Sequence, residues 1–291
     1  MASHPARPPA PLRLREQDLA DHVAVVTGGS RGIGRAIVLN LASRGCCVVA
    51  TCSSPESLHH IDTISHSVEE IYRNNPHKHA KPKIVGIAAN LLDNETPALI
   101  ANTLQRHFVG HLDVFINNAC FASAMGIGKL TDEHIADNLK ANIETPVKMI
   151  EECVKRQLFR PNSRIVSISS VRARKGWSQQ IMYMATKSAL EAATRSWADA
   201  FGGKNPEFAF MAGTTANTVM VGLTRTDAVY NNGIPEEVVK TFEDEFVPHQ
   251  GIPRVGWPED VADVVGLLCR EESRWITGSV VGADGGGISI L

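Results

Sequence analysis

Short, almost wholly apolar runs alternate along the chain with longer stretches in which apolar positions return at helical spacing. The first pair is "HVAVVTG" (22–28), β-branched and closed by glycine, followed by "GRAIVLNLASRG" (34–45), which stops at Gly45. The unit recurs as "CCVVATC" with a helix over 61–73, "KIVGIAA" with a helix over 96–107, "LDVFIN" with a long helix over 132–157, and "RIVSIS" with a helix over 180–201. "TANTVMV", after a loop rich in Gly, Asn and Thr, supplies a sixth strand, and "SVVGA" near the end a seventh. Strands apolar on both faces predict a parallel sheet covered by helices on both sides, the doubly wound α/β class with seven parallel strands. A ligand of such a sheet sits beyond the carboxyl ends of the strands, where strand order reverses. The informative residues should therefore follow the strands.

The first strand runs into "TGGSRGIGRA", which sets Gly28, Gly32 and Gly34 in the spacing G-x-x-x-G-x-G. One glycine takes the positive φ of a tight turn, one lets the backbone approach a pyrophosphate, and one lets the helix lie close on the sheet. The free amides of the helix N-terminus, with Ser30, Arg31 and Ile33 beside the glycines, suit phosphates. Between a first strand and a first helix, this string predicts a dinucleotide site. The turn after the second strand reads Thr51, Cys52, Ser53, Ser54, with no acid before Glu56. Hydroxyls donate to a 2′-phosphate and Arg31 supplies a charged fork of donors, which favours NADP(H) over NAD(H). A merely solvated Arg31 would leave that preference open.

In "IMYMATKSAL", one helical turn separates Tyr183 from Lys187 and places both on one face. Ser170, in "SISSV", ends the preceding strand. A phenol near its ordinary pKa is a poor acid or base at neutral pH, whereas an ammonium nearby stabilises the phenolate and pulls that pKa down. A serine hydroxyl facing the same point would bond a carbonyl oxygen as charge develops on it. The set suits hydride transfer to a ketone. By itself, Tyr-x-x-x-Lys is also what a half-buried ring and a snorkelling lysine look like.

Composition narrows the partners. With 291 residues, 43% hydrophobic and 21% charged, and a formal net charge of -2, the chain is expected to form one domain over 20–291 and to bind no nucleic acid. The cysteines at 46, 47, 52, 120, 153 and 269 show no metal-ligand spacing and read as reduced thiols. Without a secretory signal or a membrane-length apolar stretch, a cytoplasmic protein with no membrane contact is expected. The start, "MASHPARPPAPLRLR", is loosely transit-peptide-like, but its prolines oppose an amphipathic helix, and residues 1–19 read as a disordered arm.

Together the glycine turn, Ser170 and the Tyr183/Lys187 pair resemble the short-chain dehydrogenase/reductase family, of the kind that begins Thr-Gly-x-x-x-Gly-x-Gly and prefers NADP(H). The likeness runs from about residue 20 to 288 and implies a Rossmann-type fold. It implies that Tyr183 is the general acid and base, that Lys187 binds the nicotinamide ribose and lowers the tyrosine pKa, and that Ser170 orients the substrate carbonyl. Asn142, in "KANIETP", matches the asparagine that holds a water in the family's proton relay. "INNAC" (116–120), with Asn118 and Ala119, resembles the Asn-Asn-Ala-Gly floor of the cofactor site, and "WITGSVVGADGG" the final strand. "HQGIPRVGWPEDVADVVGLLC" is similar to fungal hydroxynaphthalene reductases, which brings in secondary metabolism. The family also implies a homo-tetramer or homo-dimer formed by the helices around Asn142 and Tyr183.

Three positions depart from the family pattern. Cys120 replaces a glycine; Asn90, beside Leu91, stands where relatives carry an aspartate near the adenine; and Val221 replaces the proline of a Pro-Gly turn. Gly222, Thr224 and Thr226 remain to meet the carboxamide and pyrophosphate, and regaining an amide at Val221 is expected to have a mild effect. The stretch 223–255 reads as a helical lid, with Trp177, Val229, Tyr230, Phe242 and Phe246 as pocket wall or as packing. Arg172, Arg174 and Lys175 read as a solvated loop, or else as contacts for an acidic substrate or carrier phosphopantetheine. The expected activity is an NADPH-dependent reductase of a small ketone, reversibly an alcohol dehydrogenase, with the pro-S hydride face implied by the family alone. A non-redox step such as cyclisation and a non-enzymatic dinucleotide sensor are the alternatives, and a sensor would need no tuned phenol.

Overall fold

A computed structural model describes residues 9–75, 77, 79–230 and 235–288. Its strands are β1 (Val23–Val26), β2 (Cys47–Cys52), β3 (Ile84–Ala88), β4 (Leu112–Asn117), β5 (Phe159–Ser170), β6 (Thr215–Val221) and β7 (Val280–Ala283). The helices between them are α1 (Gly32–Ser43), α2 (Leu58–Arg73), α3 (Thr96–Phe108), α4 (Asp132–Leu139), α5 (Thr145–Lys155), α6 (Ile181–Phe201), α7 (Asp227–Tyr230), α8 (Glu236–Phe246) and α9 (Pro258–Leu268). All strands pair in parallel in the order β3-β2-β1-β4-β5-β6-β7, the seven-stranded sheet expected from the sequence.

Each face of the sheet carries its own apolar layer. Val26, Ile37, Leu41, Val48, Val114 and Val265 pack on the side of α1, α2 and α9. Val25, Ile100, Leu104, Phe115, Ile150 and Ile165 pack on the side of α3, α5 and α6. Burial on both sides explains why these strands are continuously apolar instead of alternating. Strand order reverses between β1 and β4, so the loops leaving these strands diverge and open a crevice above their carboxyl ends.

The long helix expected over 132–157 is interrupted. α4 and α5 are joined by a π turn over Lys140–Glu144, in which Thr145 N–H donates to the Lys140 carbonyl five residues back. Pro146 has no N–H to offer the Asn142 carbonyl four residues before it, so an unbroken α-helical ladder cannot form here.

Of the segment expected to be a disordered arm, residues 1–8 lie outside the described residues, and Arg15 to Leu19 are fastened to the body. Arg15 N–H donates to Ser43 O at 3.0 Å, Leu19 N–H donates to Arg44 O at 3.1 Å, and Leu19 is buried in the layer around α1. The Arg44 guanidinium grips the Asp18 carboxylate with Nε 2.8 Å from Oδ1. No helix among the described residues is long and apolar enough to cross a membrane.

Candidate functional site

The turn after β1 is a cradle only glycine fits. Gly28 (φ 63°) and Gly32 (φ 53°) lie in the left-handed region, and a Cβ on Gly34 would fall 2.1 Å from the Gly28 carbonyl oxygen. Gly28 N–H donates to Thr51 Oγ1 (3.0 Å) and Gly29 N–H to Thr51 O (2.8 Å), which joins the turn to the end of β2. On the other side, the Asn118 amide donates to Thr27 O at 2.8 Å, and the Asn118 and Ala119 N–H groups both donate to Thr27 Oγ1. Thr27 and Asn118 thus hold the mouths of β1 and β4 together. The sequence reading placed Asn118 against a ligand and passed over Thr27.

Arg31 caps the start of α1 with an exposed side chain and has no ion-pair partner among the described residues. Its charge reaches the end of β2, where it acts on the Cys52 thiol and the His60 imidazole. His60 is held below its ordinary pKa, first by desolvation and then by His59 and Arg31, while Asp227 acts the other way. The charge of Arg31 thus reaches the turn after β2, which carries hydroxyls at Thr51 and Ser53.

Ser170 is the last residue of β5, and its hydroxyl accepts the Arg172 N–H at 3.2 Å. Tyr183 and Lys187 stand one turn apart in α6. The Lys187 ammonium is 5.7 Å from the Tyr183 ring centre, buried, and donates to the Ile168 carbonyl at 2.7 Å. The expected lowering of the phenol pKa is not what this arrangement does. Burial pushes the Tyr183 phenol well above its ordinary value and Cys120 adds to the rise, against a hydrogen bond from Ser170 and the charge of Arg172. Lys187 gives one hydrogen bond to the strand carbonyl, and the Arg172 guanidinium, stacked on Trp177 and Phe246, adds its charge from beyond the ring.

The Asn142 side chain is buried. Its oxygen accepts Phe121 N–H at 2.7 Å, and its amide donates to Phe121 O (2.9 Å) and Thr186 Oγ1 (3.1 Å). It thereby ties the loop after β4 to the turn of α6 that follows Tyr183. Its main-chain carbonyl lies in the π turn, without an amide from Pro146.

A cleft of about 900 Å³ runs from the glycine turn to the lid helices. Gly28, Ser30, Arg31, Gly32, Ile33, Gly34, Thr51, Ser53, Asn90, Leu91, Asn118, Ala119, Ser170, Tyr183, Lys187, Val221, Gly222, Thr224 and Thr226 line it. Of the residues singled out as catalytic or cofactor-binding, Ser54 and Asn142 do not. Cys120 also lines the cleft, near Tyr183. Val221 ends β6, paired with Ser170 on one side and Ala283 on the other, so valine carries the strand to the rim of the cleft. A Cβ on Gly222 would meet Asp284 Cα at 2.8 Å, which is why glycine follows.

Trp177, Val229, Phe242 and Phe246 form the far wall, with Trp177 and Phe242 edge to face at 5.3 Å. Tyr230 is not part of that wall. Its hydroxyl donates to Glu243 Oε1 at 2.9 Å under the Arg225 guanidinium, which packs α7 on α8. Nor is "VRARK" a solvated loop. Arg172 is 5% exposed and makes two bonds to Glu245, at 2.9 and 2.8 Å. Arg174 pairs with the buried Glu191, which also accepts Ser169 Oγ–H at 2.6 Å. The acids that pair with these arginines lie elsewhere in the chain, so only a match of basic loop to acidic lid, "FEDEF", could have signalled one pair.

Sheet order, a glycine cradle at the switch point and a serine, tyrosine and lysine facing one cleft define a Rossmann-type α/β protein with an enzyme-like site. The chain belongs to the short-chain dehydrogenase/reductase family of oxidoreductases. Residues 28–287 match the family model described as enoyl-(acyl carrier protein) reductase. The short-chain dehydrogenase/reductase FrzI of Cladobotryum sp is 34% identical over 94% of this chain and 98% of its own length. Versicolorin reductase 1 of Aspergillus parasiticus is 31% identical over 91% of this chain and 95% of its own. Among solved structures, the angucycline C-6 ketoreductase LanV with bound NADP superposes with a TM-score of 0.77 at 25% identity, over 94% of this chain and 98% of that one.

Proposed function

We propose that this protein is an NADPH-dependent ketone reductase, reversibly an alcohol dehydrogenase, with Tyr183 as general acid and base. The observation that carries the reading is one cleft whose near end is the Gly28–Gly34 cradle and whose middle is faced by Ser170, Tyr183 and Lys187. The cradle fits a dinucleotide, because the space a Cβ would fill at Gly34 is taken by backbone and free amides open the helix behind it. Arg31 and the hydroxyls of Thr51 and Ser53 give the ribose end a phosphate-seeking character, which favours NADP(H). When bound, the nicotinamide supplies or accepts the hydride.

The chain's own residues do the rest. The Tyr183 phenol, kept protonated by burial, donates its proton to the ketone oxygen, and the Ser170 hydroxyl bonds the same oxygen as charge grows on it. Lys187 supplies a fixed positive charge next to the phenolate that is left. The Asn142 carbonyl, released by Pro146, is a place for the water through which that phenolate is reprotonated. The activities in the relatives' names and the likeness to hydroxynaphthalene reductases favour aromatic, polyketide-type ketones, in secondary metabolism.

The test is the loss of NADPH absorbance across a panel of aromatic ketones, β-ketoacyl thioesters and small diketones. Tyr183→Phe should lower turnover by about 10²- to 10⁴-fold with nucleotide binding intact. Tight NADPH binding without reduction of any ketone would overturn the reading in favour of a non-redox enzyme or a sensor.

A further inference from the structure

We infer that Arg172 is a positioning residue: it fastens α8 over the substrate end of the cleft and, by pairing with Glu245, presents that end to the substrate as an uncharged aromatic wall. The catalytic consequence rests on the reductase reading; the fastening does not.

Arg172 stands two residues beyond Ser170, and its N–H is the donor held by the Ser170 hydroxyl. Its guanidinium is clasped between two rings, 4.8 Å from the Trp177 centre and 4.7 Å from the Phe246 centre. Two parallel bonds run from its nitrogens to the two oxygens of Glu245, on the last turn of α8. Lys175 closes the same corner, 3.4 Å from Glu245 Oε1 and 4.8 Å from the Phe246 ring centre. Glu245 is held below its ordinary pKa, because the bonds and charges of Arg172 and Lys175 outweigh its desolvation. It is therefore ionised throughout the neutral range and neutralises Arg172.

Three consequences follow from this geometry. A bidentate pair that is largely buried and stacked on aromatic faces restrains orientation more than a point charge would. α8 also carries Val238, Phe242 and Phe246 to the cleft, so this part of the far wall is in place only while α8 is seated. The cations of "VRARK" are already engaged, Arg172 and Lys175 by Glu245 and Arg174 by Glu191, so among the described residues this loop offers no unpaired cation to a substrate carboxylate or phosphate. The wall suits flat, uncharged aromatic surface.

The deciding measurement is hydrogen exchange over 236–246 in the unliganded chain, comparing wild type with Arg172→Lys, Arg172→Met and Glu245→Gln. Lysine keeps the charge and loses the fork, so exchange should quicken roughly tenfold or more in all three variants. If Arg172→Met fails to fold, the lysine and glutamine variants carry the comparison. Unchanged exchange in them overturns the fastening whatever the activity. In kinetics, Glu245→Gln should raise KM for a neutral bicyclic aryl ketone with kcat nearly kept, and lower KM for the same ketone bearing a carboxylate, because a cation is uncovered. A parallel change for both ketones overturns the uncharged-wall assignment. If wild type reduces no ketone while exchange quickens as stated, the reductase reading fails and the fastening stands.

Discussion

Arg31 is the exposed cation of the glycine turn, at the end of the cleft where the hydroxyls of Thr51 and Ser53 also face the ligand space. Arg31 lies where the sequence placed it, exposed beside the hydroxyl-rich turn after β2, and its value is measurable. Replacing it with alanine should raise KM for NADPH roughly tenfold to hundredfold, as expected for losing about 1.5–3 kcal/mol of charge-assisted bonding, and leave KM for NADH nearly unchanged. An equal change for both nucleotides would make Arg31 a loop residue with no part in cofactor choice. Tyr183 is the opposite case. Its helical spacing from Lys187 was plain, but not that Ile168 O would take the ammonium or that burial would outweigh nearby charge. Spacing along a helix fixes which groups share a face; the balance of desolvation and charge depends on what covers that face. Arg172 was misread for the same reason, since its partner Glu245 comes from the lid.

The strands and most helices were legible because a sheet buried on both faces leaves an unmistakable apolar run, and β6 falls where "TANTVMV" placed it. Departures from regular structure were harder to read. The π turn of Lys140–Glu144 hides inside a good helical pattern, and its one signal, Pro146, also reads as a residue of an ordinary first turn. The joint between the 15–19 segment and α1 was missed because Asp18 and Arg44 look like surface charges. Burial alone would raise the Asp18 carboxyl, but the Arg44 hydrogen bonds and charge bring it below its ordinary value of 3.8. A carboxyl depressed in the folded state contributes stability above its unfolded pKa and loses it as pH falls through the folded one. Asp18→Asn should therefore cost about 1–3 kcal/mol at neutral pH, and the gap between variant and wild type in denaturant melts should close in acid, below the carboxyl's ordinary value. A gap that persists at low pH would mean that packing, not the ion pair, holds the segment.

At the scale of the whole molecule, the doubly wound parallel sheet and the edge at which the site opens were both readable, because a parallel sheet sends its ligand to the strand ends where order reverses, while the order itself came from the structure. Assembly was implied by the family alone. The chain leaves apolar side chains in the open: Leu139 on α4 is 48% exposed, and Trp275, beside Ile276 and just before the edge strand β7, is 96% exposed. We expect light scattering to give two or four times the 31.5 kDa chain mass, and a monomer at micromolar concentration would exclude the proposed dimer or tetramer.

The seat of the 15–19 segment brings together parts of the chain far apart in sequence. Arg15 bonds Asp263 of α9 at 2.8 Å, Arg44 donates to the Gly266 carbonyl at 2.8 Å, and Arg270 lies 3.2 Å from Glu16. Part of the segment's seat thus lies on α9, and Asp263 stands 248 residues from Arg15 along the chain. Until α9 is made, a growing chain carries the α1 face that α9 covers as open apolar surface, within reach of chaperones and proteases. A chain cut short before α9 would have its nucleotide turn complete and its α1 face uncovered.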